Sequence, residues 1–123
     1  MDDLRLSTEL TEIDGVPIVH VRGEIDLYTA PEFRDALQKG VDRNPRVLIA
    51  DLRDISYIDS AGLGALLAAF KMLSMHNACL YIVASPLSPG VRRVLEITRL
   101  DTLMRVFDSV EDAMQDSADS KAA

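Results

Sequence analysis

Tryptophan is absent, cysteine occurs once, histidine occurs twice, and aromatic residues make up only 5% of the 123-residue chain. The lone Cys79 cannot close an internal disulfide, and one cysteine with two histidines cannot supply the usual four-ligand zinc set. So few aromatics also argue against a surface on which bases stack. Basic residues are in deficit, 13 against 20 acidic ones, which leaves a formal net charge of −7. No basic run overrides that balance, so a nucleic-acid backbone or an anionic membrane surface is repelled. Long apolar runs are missing too: Ala61 to Phe70 is the longest, well short of the roughly 20 residues that cross a bilayer. The opening Met1-Asp2-Asp3-Leu4-Arg5 has no basic-then-apolar leader pattern. Together these absences predict a reducing, cytoplasmic setting without nucleic-acid or membrane partners.

What the chain does have is core. Hydrophobic residues are 48% and charged residues 27%, the balance of one globular domain. At this length a chain buries roughly two-thirds of its unfolded surface and needs no disulfide or metal to hold it together. Leu6, Thr8 and Leu10 alternate with Ser7, Glu9 and Thr11, the period of a strand with one wet face, and Asp14-Gly15 marks a hairpin turn into Val16–Arg22. Thr29-Ala30-Pro31-Glu32 reads as a capping box at the start of a helix that Gly40 stops. The run Val47-Leu48-Ile49-Ala50 reads as a buried strand, Ser60 onward as a helix with Leu63, Leu66, Leu67, Phe70 and Leu73 in a stripe, and Cys79–Ala84 as a further strand. A short helix after Ser88, a strand at Arg105–Phe107 and a helix from Ser109 through Met114 complete the pattern. The order ββαβαβαβα predicts an α/β fold: a mixed sheet of about five strands, with an N-terminal hairpin and about four helices mainly on one face. The domain is predicted over 1–116, with a flexible tail over 117–123.

If the second and third strands are parallel neighbours, the segments Gly23-Glu24-Ile25-Asp26 and Ser56 to Gly64 share the carboxyl edge, where open α/β sheets bind their partners. That brings Asp26, Asp59 and Ser60 together. Ser60 reads either as an N-cap or as a functional hydroxyl. Gly62 and Gly64 cost up to ~1 kcal/mol each inside a helix, so something approaches the backbone closely there, another helix or a partner surface.

Catalytic readings fare poorly. A nucleophile elbow needs glycine two before the serine, where Ile58 stands, and His20 and His76 are both badly placed for a triad. Gly62-Leu63-Gly64 lacks the third glycine and the following acid of a dinucleotide site, and no Walker sequence occurs, so no cofactor is predicted. Asp51, Asp54 and Asp59 raise magnesium as a reading but read more simply as a solvated rim, so no metal is predicted. A receiver domain would need an acidic pair after its first strand and a lysine after its last, and both are lacking.

Asp59-Ser60-Ala61-Gly62-Leu63-Gly64, preceded by Val47–Leu52 and by Gly23-Glu24-Ile25-Asp26-Leu27-Tyr28-Thr29-Ala30, resembles the STAS domains of bacterial anti-sigma factor antagonists over about Leu4 to Met114. The resemblance implies a regulatory protein without catalytic activity. Its partner is an anti-sigma factor serine kinase that uses ATP, and a phosphatase resets the switch. It implies phosphorylation at Ser60, and a partner-binding surface of Asp26, Asp59, Ser60, Gly62 and Leu63. Ala61 departs from the family's frequent Ser or Thr and removes an alternative phosphate acceptor. A STAS subunit of another regulatory assembly, or of a transport system, is the alternative.

Overall fold

A computed structural model describes residues 6–87 and 89–122. Five strands form one sheet in the order β1-β2-β3-β4-β5: β1 Leu6–Ile13, β2 Val16–Ile25, β3 Val47–Ile58, β4 Cys79–Val83 and β5 Arg105–Phe107. β1 and β2 are antiparallel, and every later neighbour is parallel. Asp14 and Gly15, both at positive φ, make the two-residue turn that sets Ile13 opposite Val16. Helices α1 (Ala30–Val41), α2 (Ser60–Ser74) and α3 (Pro89–Ile97) are the crossovers, and α4 (Val110–Ala122) follows the last strand. The mixed α/β architecture predicted from the element order is the one observed.

Because each crossover advances the sheet in the same direction, right-handedness sends α1, α2 and α3 to one face. Their stripes, including Phe33, Leu37, Leu66, Leu73 and Leu95, pack on Val19, Val21, Leu48, Ala50, Leu52, Leu80 and Ile82 in a single cluster. Burying a side chain of that size stabilises by about 1.5–3 kcal/mol, so this layer is the main store of fold energy. Gly40 does not stop α1 but lies inside it, buried, where a Cβ would sit 2.5 Å from Leu48 Cδ1. It lets the helix lie close on the sheet.

α4 takes the opposite face. Val110, Ala113 and Met114 cover Ile18, Val47, Ile49, Tyr81 and Val83, and Ser109 Oγ accepts from the Asp112 amide to cap the helix. The apolar pattern ends this helix near Met114 and predicts a tail over 117–123. The structure instead carries α4 through Ala122, with Ser117 buried. Ser117 continues the stripe as i+3 from Met114, and its small polar side chain hid that continuation from a reading based on hydrophobicity. Asp116, one residue earlier, accepts from Tyr81 OH at 2.6 Å and pairs with Arg105 at 3.0 Å, which pins the helix to β4 and β5.

Candidate functional site

β2 and β3 run further than their apolar cores suggest. Their pairing continues past irregularities at His20/Arg22 and Gly23/Glu24, with Gly23 at φ +118°, to Glu24 opposite Tyr57 and Ile25 opposite Ile58. A bulge of this kind needs a backbone angle that glycine supplies without strain. The Asp59 amide then donates to the Ile25 carbonyl at 3.1 Å, so the chain leaves both strands side by side at the carboxyl edge. Asp26 and Asp59–Ser60 are neighbours there, as the sequence predicts.

Each carboxylate has an internal task. Asp26 Oδ1 accepts from the amides of Tyr28 (2.9 Å) and Thr29 (3.0 Å), and the Ala30 amide donates to the Asp26 carbonyl. Buried Thr29 does not act as the expected capping-box residue: its side chain makes no cap bond to α1. Thr29 Oγ1 donates to the Glu24 carbonyl at 2.8 Å and accepts from the Asp26 amide at 2.9 Å. Turn and hydroxyl thus lock one another, and the β2–α1 connection has a defined shape.

Asp59 is the N-cap of α2. Its backbone is extended, and Oδ1 accepts from the amides of Ala61 (2.9 Å) and Gly62 (3.3 Å). The N-cap reading of Ser60 is therefore off by one residue, because the carboxylate before it already satisfies the orphan amides. Ser60 becomes the first helical residue, exposed, with a hydroxyl that makes no hydrogen bond among the described residues.

The two glycines separate. Gly62 is buried, and a Cβ on it would lie 2.6 Å from Ile25 Cγ2 and 2.7 Å from Ile58 Cγ1. The close approach inferred from sequence is real, and what approaches in the structure is the chain's own sheet, on which Gly62 seats α2. Gly64 is exposed with open space where its Cβ would be. Leu63 is half-buried and rests against the core.

The remaining candidates do not converge. Asp51 is buried in mid-strand on the face that α4 shares, where Arg53 Nε (2.8 Å) and Nη2 (2.9 Å) and His20 Nδ1 (2.9 Å) contact its carboxylate. Burial pushes the Asp51 carboxyl up, but the hydrogen bonds from Arg53 and His20 outweigh it and hold the group below its ordinary value; Asp51 in turn raises Arg53. Asp54 lies 3.7 Å from Arg22. Asp51 therefore belongs to no solvated rim, and Asp51, Asp54 and Asp59 each have a separate partner. The second nitrogen of His20 meets Thr11 Oγ1 at 2.8 Å, whereas His76 follows the C-terminal end of α2. Neither imidazole stands beside Ser60. The His20–Asp51 pair was missed in the sequence, although the cross-strand register that joins them follows from parallel pairing of Ile18 with Ile49.

Comparison with known proteins agrees with this geometry. The STAS domain family model matches residues 7–113. A Listeria monocytogenes protein named anti-sigma-B factor antagonist is 38% identical over 104 residues, covering 84% of this chain and 90% of its own. A Staphylococcus aureus protein of the same name is 35% identical over 108 residues, covering 88% and 98%. The crystal structure of an anti-sigma factor antagonist from Mycobacterium paratuberculosis superposes with a TM-score of 0.82 at 32% identity, covering 89% and 92% of the two chains. The parallel β2–β3 edge, the capped α2 and a family match over nearly the whole fold lead to one conclusion: this chain belongs to the STAS domain family.

Proposed function

We propose that this chain is an anti-sigma factor antagonist. It binds an anti-sigma factor that is a serine kinase, so that a sigma factor is released, and phosphorylation of Ser60 by that kinase ends the binding. The observation that carries the reading is the exposed Ser60 hydroxyl at the first position of α2, without a hydrogen bond among the described residues, with the capping task taken by Asp59. In the transfer, Ser60 Oγ forms a bond to the γ-phosphorus of ATP while the bond to the β,γ-bridging oxygen breaks. ADP leaves with that oxygen, and the hydroxyl proton passes to a base on the kinase. A phosphatase returns the serine by hydrolysis.

The named relatives support this reading, as does the helix N-terminus, whose amides and dipole favour a phosphate. The surface presented to the kinase is the carboxyl edge, with Ser60 and Leu63 on it and Asp26, Asp59 and Gly62 shaping it from beneath. In this reading the chain is regulatory, and its Ser60 hydroxyl is the substrate of the partner's chemistry. Among the described residues no helix is long and apolar enough to cross a membrane, and the proposed place of action is the cytoplasm.

The test is incubation of wild type and Ser60→Ala with a candidate anti-sigma factor and labelled ATP, followed by titration of each form. Label on wild type alone, and a kinase that Ser60→Ala binds but cannot modify, are the expected results. Label retained on the alanine variant places the acceptor elsewhere and overturns the assignment.

A further inference from the structure

A groove of about 750 Å³ lies at the end of the sheet away from Ser60. Its walls are the β1–β2 turn, the connection from α1 to β3 and one side of α4, which packs chiefly on β3, β4 and β5 and leaves the hairpin standing beside it. β3 starts in the groove at Val47 and ends at Ile58 beside Asp59, so at about 3.3 Å per residue roughly 35 Å separates the groove from the cap of α2. The volume falls in the range of small-molecule sites, roughly 300–1,000 Å³. The lining is aliphatic: Ile13 is 45% exposed, Val16, Val110 and Met114 are only partly buried beside Val47, and the described lining holds no aromatic ring. Two of its polar groups lack partners among the described residues. Ser117 is 9% exposed, and its hydroxyl makes no hydrogen bond there; a buried hydroxyl in that state is costly until a polar group meets it. Arg46 has no ion pair, whereas Arg43 beside it is held by Glu12 at 2.8 Å. Because α4 runs back from β5 towards the start of β3, Ser117 and Arg46 fall at the same end of the groove. Asp14 also lines it, and Glu111 stands at the other end, close enough to Arg53 to favour its charge.

We propose that this groove binds a medium-chain fatty acid, its aliphatic tail along Ile13, Val16 and Met114 and its carboxylate at the end where Arg46 and Ser117 stand. The guanidinium fork matches a carboxylate in two parallel hydrogen bonds. One free cation neutralises one negative charge, so a monoanion fits, and a dianion is left with a charge facing Asp14. A flexible aliphatic tail suits walls of isoleucine, valine and methionine without a ring to stack on. The inference goes beyond the functional reading above and does not depend on it, since the groove and the Ser60 edge occupy opposite ends of the sheet.

The experiment titrates the full unmodified chain with dodecanoate, below the concentration at which it forms micelles, by calorimetry and by amide NMR shifts. Acetate, dodecyltrimethylammonium and dodecyl phosphate are titrated in parallel at about pH 8, where the phosphate is a dianion. Light scattering gives the mass of the chain, and thermal melts accompany each variant. The expected result is one dodecanoate per monomer, bound in the micromolar range, with shifts confined to residues 13–16, 43–47 and α4. Acetate does not bind, and the cation and the dianion bind at least about tenfold more weakly. Arg46→Gln loses about tenfold or more and Ser117→Ala severalfold, while Arg34→Gln, exposed on α1, binds as wild type and all melts agree. No saturable binding below millimolar dodecanoate, equal binding of the cation or the dianion, shifts centred on the carboxyl edge, or an Arg46→Gln chain as tight as wild type each overturn the inference. A dimer whose dissociation on dilution shifts these same residues assigns the groove to a second copy and overturns it too. None of these outcomes touches the assignment of Ser60, which the kinase assay reads separately.

Discussion

At the scale of single residues, the first turn of α2 shows how one position decides between structure and function. Asp59 and Ser60 are both good caps, and which of them caps depends on where the helix begins, a boundary that sequence places only to within a residue or two. The structure gives the cap to Asp59. Asp59→Ala is therefore expected to cost about 1 kcal/mol, read as a melting temperature lower by a few degrees, because the Ala61 and Gly62 amides lose their acceptor. Ser60→Ala is expected to leave the melt unchanged, since its hydroxyl holds nothing among the described residues; a loss equal to that of Asp59→Ala would show that the serine is structural after all. The two glycines make a second pair of opposite sign. Alanine at Gly62 would collide with Ile25 and Ile58 and is expected to destabilise by ~1–3 kcal/mol. Alanine at Gly64 meets open space in a helix and is expected to stabilise by ~0.4–1 kcal/mol. Urea titrations of the two variants check this, and a shared sign would contradict the packing described. The sequence signals that glycine is unusual at both places; only the tertiary contact tells them apart.

At the scale of elements, the strands and crossovers were legible because periodicity and turn chemistry agree along most of the chain, as at Asp14-Gly15 and in the α2 stripe. Two features were not. The length of α4 was hidden because Ser117 occupies a core position with a side chain that hydropathy counts as polar. Deleting 117–123 is accordingly expected to lower the melting temperature by several degrees, as the last turns of α4 and their packing are lost. An unchanged melt would mean that the anchor at Asp116 suffices alone. The second hidden feature is the polar group on the open part of the α4 face, where Asp51 is held by Arg53 and His20. The folded pKa of Asp51 lies below its unfolded value. The unfolded chain thus binds the proton more readily, and the contribution is fully present above the unfolded pKa near 3.8 and is lost as pH falls through the folded one. Wild type is expected to lose stability below pH ~4 more steeply than Asp51→Asn, which already lacks the charge at neutral pH and is less stable there by a few kcal/mol. Parallel acid melts of the two proteins with the same slope would remove this role.

At the scale of the whole molecule, a phosphate joins a chain that already carries a net charge of −7 and adds about −1.5 to −2 more. Acidic self-repulsion and the adjacent Asp59 work against it. The N-terminus of α2 works for it, by about 0.3–1 kcal/mol at an exposed site. Charges farther away than the ~8–10 Å over which salt leaves them felt add little. These opposed contributions are each of the order of 1 kcal/mol or less, while the core beneath them, from Ile25 and Ile58 to Leu66, is untouched by a group on an exposed oxygen. The phosphorylated chain is therefore expected to melt within a few degrees of the unmodified one, with the gap shrinking as salt is raised, and to keep its amide-exchange protection in β2, β3 and α2. Loss of protection in those elements, or a melt lower by ten degrees or more, would mean that the phosphate switches the fold. Retained protection together with lost affinity would place regulation wholly at the surface around Ser60.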